Sequence, residues 1–204
     1  MGKLDLKKTL NTLYQPSAKE VTLVTVPEFA YFMIDGTGDP NDSGQFQAAV
    51  EALYSLSYTL KFDVKKGGGQ DYAVMPLEGL WRCTDMACFD VAERSNWLWT
   101  LLMVQPMPPT EAEFVDLSAR VQKKKNLPAV GQVRLELWTE GLSAQTIHVG
   151  PFSEEGPTVA RVHAFIEENG YQPQGKHHEI YLSDPRRTAP EKMKTVLRQP
   201  VTAV

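Results

Sequence analysis

The order of elements repeats along this chain, and the repeat narrows the folds open to it. Residues 21–26 and 29–35 alternate as strands, 46–60 recur at steps of three and four as a helix, and 96–105 is a strand again. From 131 the order returns: strands over 131–138 and 142–149, a helix with the stripe Val159, Val162 and Ile166, and a strand beginning at His177. No obvious residue identity accompanies the repeat. An α+β fold follows, built from two pseudo-symmetric strand-helix-strand-strand modules over about 21–105 and 131–183. They would form one antiparallel sheet with helices on one face and a ligand cleft on the other.

Punctuation residues set the expected boundaries. Residues 1–20 are polar and lysine-rich, an extended arm before a single domain over 21–204. Pro27 separates the first two strands, because it cannot donate to a central ladder. The turn-rich loop 36–44 ends in the cap candidates Asp42 and Ser43. Gly67-Gly68-Gly69 ends the first long helix, and no Gly-Lys-Ser/Thr follows it, so it is not a phosphate loop. Strands over 72–75 and 77–84 flank Pro76, and 85–93 is a connector. A helix opens after Thr110 with Glu111 and Glu113 in its first turn, and Lys123-Lys124-Lys125 complement its dipole at the far end. Thr139-Glu140-Gly141 turns a hairpin. Ser153 caps the second-module helix, and Gly170 ends it. Thr188 and Glu191 make a capping box for a short final helix.

Charge and cysteine usage exclude whole classes. A net charge of −4 with one short lysine run is unlike a nucleic-acid-binding module. Cys83 and Cys88 are too few for a disulfide framework and lack the second pair of a structural zinc site. His177 and His178 point to opposite faces of a strand, and His148 and His163 have no ligand spacing, so no metal is expected and no cofactor motif is present. The N-terminus has no apolar signal core, and the apolar run 97–104 is too short to span a bilayer. The reading is a cytoplasmic, soluble protein without membrane or nucleic-acid partners.

The chemistry-bearing residues emerge from strand parity. In His177-His178-Glu179-Ile180-Tyr181-Leu182, Ile180 and Leu182 mark the core side with His178, and His177, Glu179 and Tyr181 point the other way. Trp97, Trp99 and Met103 share a face of their strand, and Glu136 shares one with Trp138. If these are all the face left open by the helices, they line a groove of aromatic walls around few carboxylates. Such a groove suits flat, apolar or cationic organic molecules. Glu78, in Pro76-Leu77-Glu78-Gly79-Leu80-Trp81, is a further acidic contributor. A lone strand glutamate is more often solvated, so parity alone leaves Glu179 open. In an aromatic pocket, desolvation would raise its pKa and fit it for pairing with a cation or for general acid–base work. Tyr181 or Tyr72 would supply a hydroxyl to orient the ligand or help place the proton.

The run from His177 to Arg187, continuing through Pro190-Glu191-Lys192 and Leu197-Arg198-Gln199-Pro200, resembles the gyrase-inhibitor-like (GyrI-like) small-molecule-binding family, in particular its stand-alone bacterial branch. The Glu78-Trp81 motif, Asp85-Met86, Trp97-Leu98-Trp99-Thr100 and Ile147-His148-Val149-Gly150-Pro151 are similar to the same branch. Arg82 follows Trp81 where the family pattern has a second aromatic residue. The resemblance implies paired modules and a central glutamate in an aromatic cleft, carried here onto Glu179. It also implies relatives of two kinds: drug-sensing effector domains, and hydrolases that open the cyclopropane ring of DNA-alkylating natural products. Three readings therefore stand: a detoxifying hydrolase, a non-catalytic multidrug-binding or sequestering protein, and an interaction module that inhibits a topoisomerase. The natural ligand and the oligomeric state are not encoded in any of these motifs.

Overall fold

The computed structural model describes residues 2–41, 44–83 and 96–204. The cap candidates Asp42 and Ser43, the connector over 85–93 and Cys88 lie outside the described residues. The fold is α+β with antiparallel strands, and the chain divides into two compact units. The first comprises Met1–Leu6 and Phe29–Trp138, the second Lys7–Glu28 and Thr139–Val204.

In the first unit, β3 (Trp97–Val104) is flanked by β1 (Thr22–Thr37) and β2 (Glu78–Cys83), both antiparallel to it. Two helices, α3 (Gly44–Lys66) and α4 (Glu111–Lys125), cover one face. The stripe Ala49, Ala52, Leu53, Leu56 and Leu60 is buried on α3, the three-and-four spacing that its periodicity requires. On α4 the expected start holds: Thr110 and Glu113 form a complete capping box, and the left-handed Asn126 ends the helix after the lysines. Paired positions show which sheet face the helices cover. Phe32 opposes Met103, and Gly36 opposes Trp99. Phe32 packs against Phe114 of α4 with ring centroids 5.2 Å apart, and the Ser57 hydroxyl of α3 donates to Met103 Sδ at 3.8 Å. Gly36 is required here, because a Cβ would sit 2.0 Å from the Trp99 ring.

In the second unit, β7 (Lys194–Ala203) lies between β4 (Arg134–Val149) and β6 (His177–Tyr181), and β5 (Tyr171–Pro173) pairs with its end. Helix α5 (Gly156–Glu168) packs Val162 and Ile166 on Ala144 and Val201. On the opposite face a charged network is buried whole. Arg198 donates to Glu140 Oε2 at 2.9 Å, and His178 Nδ1 donates to Oε1 at 2.8 Å. Burial alone would push Glu140 up, but the charges of His178 and then Arg198 hold it down to about 2. Arg198 also donates to Gln145 Oε1 and to the Leu13 carbonyl, so the network ties down the N-terminal segment.

Several boundaries differ from the sequence expectation. The strand β1 runs through Pro27 without a break; its ladder with β3 begins only at Tyr31, so Pro27 has no donor to lose there. The expected hairpin at 139–141 is instead continuous strand, with Gly141 at φ 80° and Glu140 buried in the charged network. Residues 72–75 form only a parallel bridge between Tyr72 and Leu4. The extended arm is two single-turn helices, α1 (Leu6–Thr9) and α2 (Asn11–Tyr14), with Leu13 and Tyr14 buried. Ser153 lies in a 3-10 turn, Phe152–Glu154, and Glu155 is the residue at the N-cap of α5. In place of the expected capping box at 188–191, Ala189 is the N-cap residue with no side-chain cap, and only a 3-10 turn, Pro190–Lys192, precedes the unforeseen strand β7.

Candidate ligand site

Strand β6 places the acid. Glu179 opposes Leu197 of β7, and Tyr181 opposes Thr195. Leu197 in turn opposes Thr146, and Thr195 opposes His148 of β4. These residues share one sheet face, and it is the face that carries α5. His148 Nδ1 accepts from the Thr158 hydroxyl of α5 at 3.0 Å, its Nε2 donates to the Pro151 carbonyl, and Arg161 of α5 donates to Thr146 Oγ1 at 3.2 Å. The parity expected from sequence is therefore right, but the helix-free face is the wrong side for Glu179. Its face is bordered by the 3-10 turn and the N-terminal end of α5.

Each oxygen of Glu179 has a neighbour. The Tyr181 hydroxyl donates to Oε2 at 2.8 Å. Oε1 faces Nε2 of His177 at 3.8 Å, beyond hydrogen-bond length, and the glutamate side chain is 17% exposed. His177 is buried and neutral at ordinary pH, since burial, then His178 and His163, bring it down to about 4. The Phe152 ring meets Tyr181 edge-on at 5.5 Å. The second acid, missed in the sequence, is Glu155. It is 6% exposed, and burial followed by the charge of Glu179 pushes it up to about 9. The Thr195 hydroxyl works in the opposite direction, yet neither Thr195 Oγ1 nor Glu155 Oε1 completes a hydrogen bond. Turn position and helix-cap spacing concealed Glu155, because nothing local marks a carboxyl that only tertiary packing will bury.

The other sequence candidates belong to the first unit, and they divide between two faces. Trp99 and Met103 are on the helix-covered face, where Phe46 of α3 meets Trp99 edge-on at 5.2 Å and stacks on Trp81 at 6.1 Å. Trp97 meets Trp81 at 5.4 Å. These four side chains are core or core-edge rather than the open wall expected of them. Glu78, opposite Leu102, which in turn opposes Met33, lies on the other face and is buried. That face also holds Trp138, whose ring is 5.7 Å from Tyr31, and Glu136, which accepts from Arg134 Nε at 2.7 Å. Arg134 spans to Asp35 as well, at 2.8 Å, and Thr100 donates to Asp35 at 2.6 Å. Tyr72 is buried with a hydroxyl that makes no hydrogen bond, and burial, then the Asp71 charge, raise its ionisation above the ordinary tyrosine value.

Among the described residues, no group of three His, Cys, Asp or Glu side chains is arranged to hold a metal, and no helix is long and apolar enough to cross a membrane. The chain is similar over its length to a solved but uncharacterized conserved protein from Listeria innocua: 42% identity, TM-score 0.91, covering 98% of this chain and 100% of that one. A hydrolase from Listeria innocua is 41% identical with a TM-score of 0.88 and the same coverage. The C-terminal domain of EcmrR shares the fold at 13% identity and a TM-score of 0.56, covering 91% of this chain and 98% of that one. No curated protein shows significant similarity to the chain. The profile of the GyrI-like small molecule binding domain matches residues 19–202, so the chain belongs to the GyrI-like small-molecule-binding family.

Proposed function

We propose that the protein is a small-molecule hydrolase that takes flat or cationic organic electrophiles beside Glu179, with cyclopropane-bearing DNA alkylators as the substrate class. The observation behind this is the Glu179 carboxylate held by Tyr181 on a face that also carries His177 and Glu155, both neutral at ordinary pH. An oriented carboxylate in a largely buried setting attracts a cationic or electron-poor ligand. It also accepts a proton from water as the water oxygen attacks. Phe152 and Tyr181 supply aromatic edges for a flat ring system. The similarity to a hydrolase at 41% identity supports turnover over binding alone, and the family resemblance supplies the strained ring.

The test is mass spectrometry after incubation with a cyclopropane-bearing alkylator. Wild type should yield a water adduct, and Glu179→Gln should form it at least about 10²-fold more slowly with an unchanged melting curve. Unaltered compound that nonetheless quenches protein fluorescence on titration would establish binding without hydrolysis. A Glu179→Gln protein that fails to fold would make the residue structural.

A further inference from the structure

Glu155 is an expensive residue for a purely structural role. Its backbone is fixed: the carbonyl accepts from the N–H groups of Thr158 and Val159, both at 2.9 Å, in the first turn of α5. Its side chain turns inward, where Oε1 is buried without a hydrogen-bond partner. Thr195 Oγ1, cross-strand from Tyr181, and His177 Nε2, beside Glu179, are buried in the same condition. Buried polar atoms without partners are rare, because each forfeits its hydration with nothing in return. Three of them bordering one carboxylate point to a ligand that would complete their bonds.

We propose that Glu155 is the acid of a two-carboxyl pair, giving a proton to the substrate while Glu179 accepts one from water. The assignment rests on the hydrolase reading above. The water oxygen bonds to the electrophilic ring carbon, and its proton passes to Glu179. The ring carbon–carbon bond breaks, its electron pair moves into the conjugated carbonyl, and that oxygen takes the proton of Glu155. One water has been added. Glu179 now holds the proton that the pair began with, and its return to Glu155, directly or through one water, restores the starting state.

The charge pattern supports the division of roles. Two buried carboxyls that interact share one proton rather than ionising together. Glu155 is the more buried of the two, and its ionisation is pushed up to about 9. Glu179 and the Thr195 hydroxyl act on it directly; the same sheet face carries Tyr181 and His177 on β6 and His148 on β4, with Arg161 of α5 and Glu154 of the adjoining turn at its border. The charge acting on Glu155 is that of Glu179, which holds the proton on it.

Steady-state kinetics on the alkylator test the assignment. Glu155→Gln keeps the shape and neutrality of the acid but has no proton to give. It should lower kcat by about 10²-fold or more and leave KM nearly unchanged. The wild-type kcat should fall above about pH 9, and the variant should lack that limb. A variant with wild-type kcat, or with only KM altered, overturns the proposal. Carboxyl-carbon NMR of the free protein adds an independent readout: one glutamate should titrate near pH 9, vanish in Glu155→Gln and move down in Glu179→Gln. Turnover by wild type with Glu155 titrating in the ordinary carboxylate range would sink the donor role alone. A wild type that forms no adduct removes the hydrolase reading, and the donor role with it.

Discussion

Gly79-Leu80-Trp81 in the first unit and Glu179-Ile180-Tyr181 in the second occupy matching places in matching strands. Each triplet is on a strand C-terminal to the module's helix, and each pairs with the module's central strand. Trp81 opposes Trp99 and Gly79 opposes Leu101; Tyr181 opposes Thr195 and Glu179 opposes Leu197. An aromatic side chain from the start of the helical segment meets each: Phe46 on Trp81, Phe152 on Tyr181. In the first unit the described residues fill the space with indole rings. In the second, glycine is replaced by glutamate, tryptophan by threonine, and Glu155 is brought in from the helix cap. One scaffold face serves as packing in one copy and bears acids in the other. One copy puts these positions to packing and the other puts them to acids, so one can specialise while the other supplies stability.

Breaking the packed copy should have the largest effect. Trp99→Ala opens a cavity between Gly36 and Phe46, and about 3–5 kcal/mol of stability should be lost in urea unfolding. A loss under about 1 kcal/mol would mean that the first unit does not depend on its aromatic filling. Sharpening the acidic copy is a matter of pH. Glu155 has a folded pKa raised to about 9 from an ordinary value of 4.5, so the native state holds its proton more tightly than the unfolded chain. Its contribution is fully present below pH 4.5 and is lost as pH rises through 9. Wild-type stability should therefore fall across that window by up to about 1.4 kcal/mol per pH unit relative to Glu155→Gln. Parallel pH profiles for the two proteins would remove Glu155 from its buried, protonated state. The smallest effect is expected at Tyr72, whose hydroxyl is buried without a partner. Tyr72→Phe should leave stability within about 1 kcal/mol of wild type, toward greater stability, with turnover intact. Lost turnover would return Tyr72 to the catalytic role suggested by its sequence position.

The legible parts of the fold were those set by local periodicity and caps. Leu53, Ser57 and Leu60 on the buried side of α3, the Thr110 capping box and the alternation of β3 and β6 all lie where residue spacing puts them. Strand β7 was missed because Arg198 and Gln199 interrupt its apolar pattern, and their partners Glu140, Gln145 and the Gln174 carbonyl are distant in sequence. The hairpin at 139–141 misled for the same reason: Glu140 resembles a turn residue until Arg198 and His178 surround it.

By itself the sequence determined the repeated order of elements, and it determined that Glu179, Tyr181 and His177 share a side of their strand. Hydrophobic periodicity marks the first, and backbone geometry guarantees the second, since successive side chains on a strand point to opposite faces whatever surrounds them. Only the tertiary structure decided which face α5 would cover, that the tryptophans would be packed under α3, and that Glu155 would join Glu179. Those outcomes depend on desolvation and on contacts between residues far apart in the chain, and no local spacing encodes either.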